Sequence, residues 1–234
     1  MANSYIQYAY GKGKKVDDVI ITAQTDIILH DVEAKRIILS RNCKNVLIDG
    51  FCLTGPYSMP LLIQDPNASM QGVHLVNGYI DSSASPDVDG DKQAISMRVL
   101  SMEDFGIHDV WINGHNRNAI GLYKNTASTW KDIEVDHIYV TNGRDMTPDG
   151  LPSGAAGGIL IGSDNPAGSL AVNCRVHDCL IERTVGYGIR RKDFGVTVTN
   201  VIGQNNEMYG ATNVISGESA EDIRARVVSR IPRI

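Results

Sequence analysis

The chain has 234 residues, of which 42% are apolar and 21% are charged, as in an ordinary globular protein of one domain. These proportions exclude a disordered chain, a collagen and a coiled coil. The net charge of −5 disfavours a nucleic-acid partner, because binding to phosphates normally requires a basic face.

The amino-terminal segment and the cysteines limit the cellular setting. No stretch reaches the roughly 18 consecutive apolar residues that a membrane span requires, so no membrane span is expected. The segment MANSYIQYAYGKGKK is polar and predicts no signal peptide. The four cysteines are too few for a disulfide scaffold, and the spacing of Cys174 and Cys179 does not fit a zinc site. Reduced, packed thiols are therefore expected.

Residues 1–26 are expected to form an amino-terminal cap or a segment that contacts a partner. The side chains from Tyr5 to Tyr10 alternate in a way that is typical of a β-strand. Such a strand would pair either with the first coil of the repeat that follows or with another chain.

A six-residue pattern recurs through residues 27–215: apolar, any residue, a small polar residue or glycine, apolar or glycine, any residue, apolar. Its third position holds residue types that tolerate a left-handed backbone: Asp31, Gly50, Asn77, Asp109, His137, Asp178 and Asn200. Each copy predicts two short strands joined by a tight bend at that position. Asn and Asp side chains in line along the stack would extend its hydrogen bonding.

A further strand is expected about ten residues after most bends, or later where an insertion intervenes. The predicted strands are Pro60–Ile63, Ala94–Met97, Ala119–Leu122, Gly158–Ile161, Gly188–Arg190 and Gly210–Thr212. Three short strands per unit predict the coils of a solenoid, with parallel strands about 4.8 Å apart. A doubly wound α/β sheet is disfavoured because no segment between the strands has a sustained helical period.

The residues Val176–Ile181, followed by Tyr187-Gly188-Ile189, resemble the coil signature of the right-handed parallel β-helices of the pectate-lyase-like group. Bacteriophage tailspikes and depolymerases share that fold. The resemblance covers residues 27–215 and implies an all-β, single-stranded right-handed parallel β-helix of about seven coils. Residues 216–234 would be a C-terminal cap or tail, in which Ser219 begins a short capping helix over Ile223–Arg230.

The resemblance also implies a polysaccharide groove along one sheet, which we place on the strands that follow the Gly or Ala. Alternation predicts an outward row of side chains there: Leu62 and Gln64, Ser96 and Arg98, Gly121 and Tyr123, Leu160 and Gly162, Arg190 and Lys192, and Thr212 and Val214. Glycoside hydrolysis requires two carboxyl groups, and this row contains none. Acids occur only at the strand ends, as Asp65, Asp164 and Asp193.

The row supplies the candidate site residues. Gln64, Arg98, Tyr123, Arg190 and Lys192 are the candidates for glycan binding. If the protein is an enzyme, the catalytic candidates are Arg98, Arg190, Lys192, Asp164 and Asp193. Arg191 is expected in a solvated turn and paired with an acid.

The sequence contains no strong candidate for a metal site. Asp87, Asp89 and Asp91 resemble the start of a calcium loop but depart from the EF-hand pattern, so a solvated acidic loop is the first interpretation and calcium the second. His137 is expected to be structural at its bend. His108, His115 and His177 are expected on the surface, and no other cofactor is expected.

Two functions remain open. The first is a non-enzymatic bacteriophage virion protein, a homotrimeric tail, fibre or surface component that acts in host attachment or assembly and binds a cell-surface polysaccharide. Such a protein is made in the host cytoplasm with other virion proteins and released by lysis, which requires no signal peptide. The second is a polysaccharide lyase or hydrolase acting on an acidic glycan, either secreted or carried on a virion.

Overall fold

The described part of the chain consists of strands and one helix. The computed structural model describes residues 6–9, 15–57, 59–84, 93–144, 157–162, 170–192, 195–208 and 212–232, with residues 6–9, 64 and 124–127 described by their backbone alone. The elements are β1 (Ile6–Ala9), β2 (Val16–Thr22), β3 (Thr25–Ser40), β4 (Lys44–Thr54), β5 (Leu61–Asp81), β6 (Gln93–Asn113), β7 (Asn118–Thr141), β8 (Gly157–Gly162), β9 (Leu170–Glu182), β10 (Tyr187–Lys192), β11 (Val196–Ile202), β12 (Glu207–Met208) and α1 (Ala220–Arg230).

The strands pair in parallel throughout the sheet. β3 pairs with β4, β4 with β5, β5 with β6 and β6 with β7, each in parallel register. β7 then pairs with β8 and β9, which continue into β10 and β11. This stacking confirms the predicted all-β architecture with parallel strands. At the amino end, β1 pairs with residues 27–30 of β3, so the predicted first strand joins this chain's own stack.

The predicted bends are confirmed at all seven positions. Each has a positive φ, from 48° at Asp178 to 72° at Gly50. Strand pairing places the residues before these bends in one column, as with His30 beside Asp49 and Asp49 beside Val76. The bend residues that follow them form a column of their own, which we call the predicted corner. Its residue types follow from the left-handed backbone, which costs Gly, Asn and Asp least.

A second column of bends, the upstream corner, lies five residues before the predicted corner. Its residues have φ between 52° and 62° and are Asp26, Asn45, Gly72, Asp104, Asp132 and Asn173. Side-chain amides connect neighbours in both columns: Asn45 Nδ2 donates to Asp26 Oδ1 at 2.7 Å and Asn200 Nδ2 to Asp178 Oδ1 at 2.5 Å. The expected ladder of in-line Asn and Asp side chains is therefore present.

Replacing Asn77 tests the strain at the predicted corner. Asn77 has a φ of 56°, and its Nδ2 donates to Asp49 Oδ1 at 2.6 Å. We expect Asn77→Val to lower the free energy of unfolding by about 1–2 kcal/mol, because a β-branched residue is strained in the left-handed region. Urea denaturation followed by circular dichroism measures the loss. Asn77→Gly is the matched control, since it loses the hydrogen bond but not the backbone fit. Equal stability of the two variants would argue against strain.

The interior is a ladder of mainly aliphatic side chains with a few aromatic rings, in keeping with the scarcity of aromatic residues. Ile27, Val46, Val73, Phe105 and Ile133 occupy equivalent places on successive strands and are buried. All four cysteines are buried and unbridged, which confirms the prediction of packed thiols. Burial raises the pKa of Cys52 to about 11, so this thiol is unreactive near neutral pH.

The C-terminal helix α1 begins as predicted and packs on the side of the stack. Ser219 is its N-cap and accepts a hydrogen bond from the Asp222 amide. Its apolar residues Ile223 and Val227 pack with Tyr139 and Leu180, which point outward from β7 and β9. In the described part of the chain, α1 is too short and too polar to cross a membrane.

Ion pairs hold α1 across several strands. Arg226 Nε lies 2.7 Å from Asp109 Oδ1, at the predicted corner. Arg224 Nη2 lies 2.5 Å from Glu182 Oε1 at the end of β9. The segment 216–232 therefore lies along the bends of the predicted corner.

Candidate functional site

The strand register aligns most of the outward row. Gln64 pairs with Arg98, Arg98 with Tyr123, Tyr123 with Gly162, and Gly162 with Lys192. The second line of the row aligns in the same way through Leu62, Ser96, Gly121, Leu160 and Arg190. The glycan-binding candidates thus lie on neighbouring strands of one surface.

The last pair of the predicted row is wrong. The strand that pairs with β10 is β12, which places Glu207 beside Arg190, and not Thr212 or Val214. The connection after Asn200 is shorter than the ten-residue offset assumed from the other units, so the strand begins at Glu207. The row therefore contains a carboxylate, contrary to the sequence prediction.

Two arginine–tyrosine pairs lie on this surface. The Arg98 guanidinium is 5.2 Å from the centre of the Tyr123 ring, and Gln93 Nε2 donates to the Tyr123 hydroxyl at 3.2 Å. The Arg190 guanidinium is 4.2 Å from the Tyr187 ring. Tyr187 is buried, so of the two rings only Tyr123 is open enough to contact a ligand.

Glu207 binds Arg190 through both carboxylate oxygens. Arg190 Nε donates to Glu207 Oε2 at 2.5 Å and Nη2 donates to Oε1 at 3.0 Å. This hydrogen bonding and the positive charge of Arg190 lower the pKa of Glu207. The carboxylate is therefore ionised near neutral pH and is poorly suited to act as a general acid.

Other sequence expectations have mixed outcomes. Arg191 is buried within β10 and does not lie in a solvated turn, because its side chain takes the inward position of the alternation. His115 is buried and not on the surface, since its ring is enclosed between Gly143 and Gly157. Asp164, Asp193 and the candidate calcium residues Asp87, Asp89 and Asp91 lie outside the described residues.

A second surface carries a concentration of titratable side chains that sequence reasoning missed. It consists of the outward side chains of the short segments between the two corners, and we call it the histidine face. Five of the six histidines in the sequence lie on it or at its edge: His30, His74, His108, His137 and His177. Carboxylates alternate with them along the stack, as in the ion pair of His30 with Asp49 at 3.5 Å.

Asp136 is the centre of this face. Its Oδ1 lies 2.6 Å from His108 Nδ1, and its Oδ2 lies 3.3 Å from His137 Nδ1 without hydrogen-bond alignment. His137 Nε2 in turn lies 3.1 Å from Glu218 Oε1, on the segment that leads into α1. His137 connects the strand stack to the C-terminal segment, consistent with the structural role predicted for it.

His177 faces three carboxylates. Its Nδ1 lies 2.8 Å from Asp178 Oδ2, and its Nε2 lies 3.1 Å from Glu134 Oε1 and 3.8 Å from Asp136 Oδ2. Arg175 Nη2 approaches the same Glu134 oxygen at 3.2 Å. One imidazole is therefore surrounded by acids on both of its nitrogens.

The carboxylates dominate the electrostatics of this cluster. Burial alone would raise the pKa of Asp136, but the hydrogen bond with His108 and the close approach of His108 and His137 outweigh burial and hold that pKa well below its usual range. Burial would lower the pKa of His177, yet Asp178 and Glu134 outweigh it and raise that pKa. The cluster thus favours ionised acids and a positive charge among them.

Glu134 also borders a shallow depression of about 140 Å³. Its walls include His74, His108 and Arg175. A Cβ on Gly106 would collide with the rings of His74 and His108, so the glycine lets both imidazoles lie over the backbone. The two rings are stacked, with centroids 6.1 Å apart.

A signal for the histidine face was present in the repeat. The position directly before each bend is polar in most copies and points outward: His30, Asp49, His108, Asp136, His177 and Thr199. Strand register places these residues in one line, although the chain separates neighbours by up to 41 residues. This alignment is not apparent when each histidine is considered separately.

Comparisons with protein-family models, with curated proteins and with solved structures found no match to the chain. Function is therefore argued from the two surfaces alone.

Proposed function

We propose that this protein is a bacteriophage virion component that binds an acidic cell-surface glycan along the outward row, on a right-handed parallel β-helix of about seven coils. It acts in host attachment or assembly as a homotrimer, together with other virion proteins. The observation that carries the proposal is the alignment of three cations, Arg98, Arg190 and Lys192, with Tyr123 on one surface of a protein whose net charge is −5.

The chemistry of the row suits a polyanionic saccharide. Guanidinium groups bind carboxylates with two parallel hydrogen bonds, and an aromatic ring packs against the apolar face of a sugar. In the register Gly162 lies between Tyr123 and Lys192, while Gly121 is covered by the side chains of Gln93 and Tyr123. Strands about 4.8 Å apart would present these groups at regular intervals to an extended polymer.

The same geometry supports binding in preference to cleavage. Among the described members of the row, Glu207 is the one carboxylate, and Arg190 holds it ionised. An arginine guanidinium is protonated at neutral pH, which makes Arg190 a poor general base. The alternative, a lyase or hydrolase acting on an acidic glycan, would need catalytic groups beyond this pair.

Binding to polyuronates and to bacterial capsular polysaccharides, measured by calorimetry, tests the proposal. We expect Arg98→Ala and Tyr123→Ala each to weaken binding about 10–100-fold, since a charged hydrogen bond or a ring contact contributes about 1.5–3 kcal/mol. Lys44→Ala is the matched control, because Lys44 is exposed at the start of β4, away from the row.

Three results would count against the proposal. If no acidic glycan binds, the proposed class of ligand is wrong. Release of reducing ends or unsaturated uronates that disappears in Arg190→Ala or Lys192→Ala would establish the enzyme instead. A monomer of 25.5 kDa in light scattering would contradict the homotrimer.

A further inference from the structure

We infer that Glu134, Asp136 and His177 form a binding site for one first-row divalent transition-metal ion, such as Zn²⁺. The three residues come from the outward side of β7 and β9, on the histidine face and not on the glycan row. The inference does not depend on the proposed glycan binding.

The ligand atoms converge without rearrangement of the backbone. One ligand atom from each residue lies within 4.8 Å of the other two. His177 Nε2 lies 3.1 Å from the Glu134 oxygen and 3.8 Å from the Asp136 oxygen. A tetrahedral ion with bonds of about 2.0–2.2 Å requires its donor atoms to be about 3.3–3.5 Å apart, so these distances bracket the ideal value.

The tautomer of His177 provides the main argument. Asp178 Oδ2, 2.8 Å from His177 Nδ1, accepts hydrogen bonds only, so Nδ1 carries the proton. The lone pair of Nε2 then points at the carboxylates of Glu134 and Asp136, unless a proton or a metal ion lies between the nitrogen and these oxygens. A carboxylate bound to the far nitrogen of a ligating imidazole is the usual arrangement around protein-bound zinc.

Neighbouring side chains also contact the other two ligands, Asp136 on the oxygen away from His177 and Glu134 on the oxygen that faces His177. Asp136 Oδ1, the oxygen that does not face His177, lies 2.6 Å from His108 Nδ1. Glu134 is approached by Arg175 at 3.2 Å. Asp178 is held in turn by the Asn200 amide at 2.5 Å.

The donor set selects the class of metal. One imidazole nitrogen with two carboxylates suits Zn²⁺, Co²⁺ or Mn²⁺, whereas calcium prefers oxygen ligands alone. Three protein ligands leave at least one coordination position for water. The set is separate in sequence and in donor chemistry from Asp87, Asp89 and Asp91, which lie outside the described residues.

Titration of the chelator-treated, tag-free protein with Zn²⁺ by calorimetry, and with Co²⁺ by visible absorption, tests the site. We expect one equivalent to bind, with cobalt bands typical of four or five ligands. His177→Gln and Glu134→Gln should each weaken binding by about 100-fold or more, and Asp178→Asn by about 10–100-fold. Glu134 is 36% exposed at its side chain, so its replacement is expected to leave the fold intact.

His30→Gln is the matched control, since His30 lies on the same line of the histidine face and, within the described part of the chain, forms its one ion pair with Asp49 at 3.5 Å. Circular dichroism of each variant checks folding. Absence of binding at millimolar Zn²⁺ would overturn the inference. So would binding that survives Glu134→Gln and His177→Gln unchanged, or that is lost in His30→Gln, because these outcomes would place the ion elsewhere.

Discussion

Gly78→Ala is expected to lower the free energy of unfolding by about 3 kcal/mol, at the upper end of the usual cost of overpacking a core. Gly78 pairs in register with Phe51, and the Phe51 ring is completely buried over it. A Cβ on Gly78 would overlap that ring, far inside the 3.0 Å limit that real Cβ contacts respect. Because the stack encloses the ring on all sides, it has little room to move.

Denaturation of Gly78→Ala in urea measures this loss. Phe51→Leu in the Gly78→Ala background should recover part of it, since the two side chains share one space. Gly55→Ala is the matched control, because its new Cβ would approach Lys35 at 3.1 Å at the closest, a much smaller overlap than that of Gly78 with Phe51, and should cost less. A Gly78→Ala protein as stable as the wild type would show that the core is looser than described.

The second large effect is a loss of stability on acidification that comes from His115. Burial lowers the pKa of His115 to about 4, with a smaller contribution from the charge of Arg144. His115 Nε2 hydrogen-bonds to the Gly157 carbonyl at 3.0 Å, which makes Nε2 the protonated nitrogen. Among the described residues no group accepts a hydrogen bond from Nδ1, so protonation there is costly.

The sign follows from proton binding in the two states. Between about pH 6.5 and pH 4 the unfolded chain binds a proton at His115 and the folded chain does not, so the free energy of unfolding falls as the pH falls. We expect this residue to contribute a loss of about 2 kcal/mol between pH 7 and pH 5. His137 and His177 act in the opposite direction, because their pKa values are raised.

A comparison of variants isolates the effect. The difference in stability between wild type and His115→Gln should change by about 2 kcal/mol between pH 7 and pH 5, since glutamine retains a donor for Gly157 and does not titrate. A wild-type–His115→Gln difference that is constant with pH would mean that the unfolded and folded proteins protonate His115 alike.

Local residue chemistry accounts for the elements that could be predicted. The predicted corner was found because a left-handed backbone selects Gly, Asn, Asp and His at one position of a repeat. The N-cap at Ser219 was found because its acidic partner lies three residues later in the sequence. The upstream corner was missed, although Asp104 and Asp132 stand five residues before Asp109 and His137 by the same rule.

The wrong predictions arise where the number of residues between a bend and the next strand departs from the repeat, or where a buried position cannot be recognised from the sequence. The alignment of the row across the strands was predicted correctly as far as Arg190, where strand spacing follows the repeat. It failed at Glu207 because a shorter connection changes which residue begins the next strand. His115 was predicted on the surface from the sequence alone, whereas residues of the neighbouring strands enclose its ring.

The amino-acid sequence alone determined the parallel all-β stack, its bends and the inward aliphatic ladder, because each depends on interactions within a few residues and on a period of two. Only the tertiary structure decided that Glu134, Asp136 and His177 meet, that Glu207 joins Arg190, and that α1 packs along the predicted corner. These contacts connect residues 17 to 117 positions apart, and their partners depend on how many residues each coil contains before the next strand begins. The repeat pattern does not fix that length. The stacking of the strands therefore decides which side chains become neighbours on the surface.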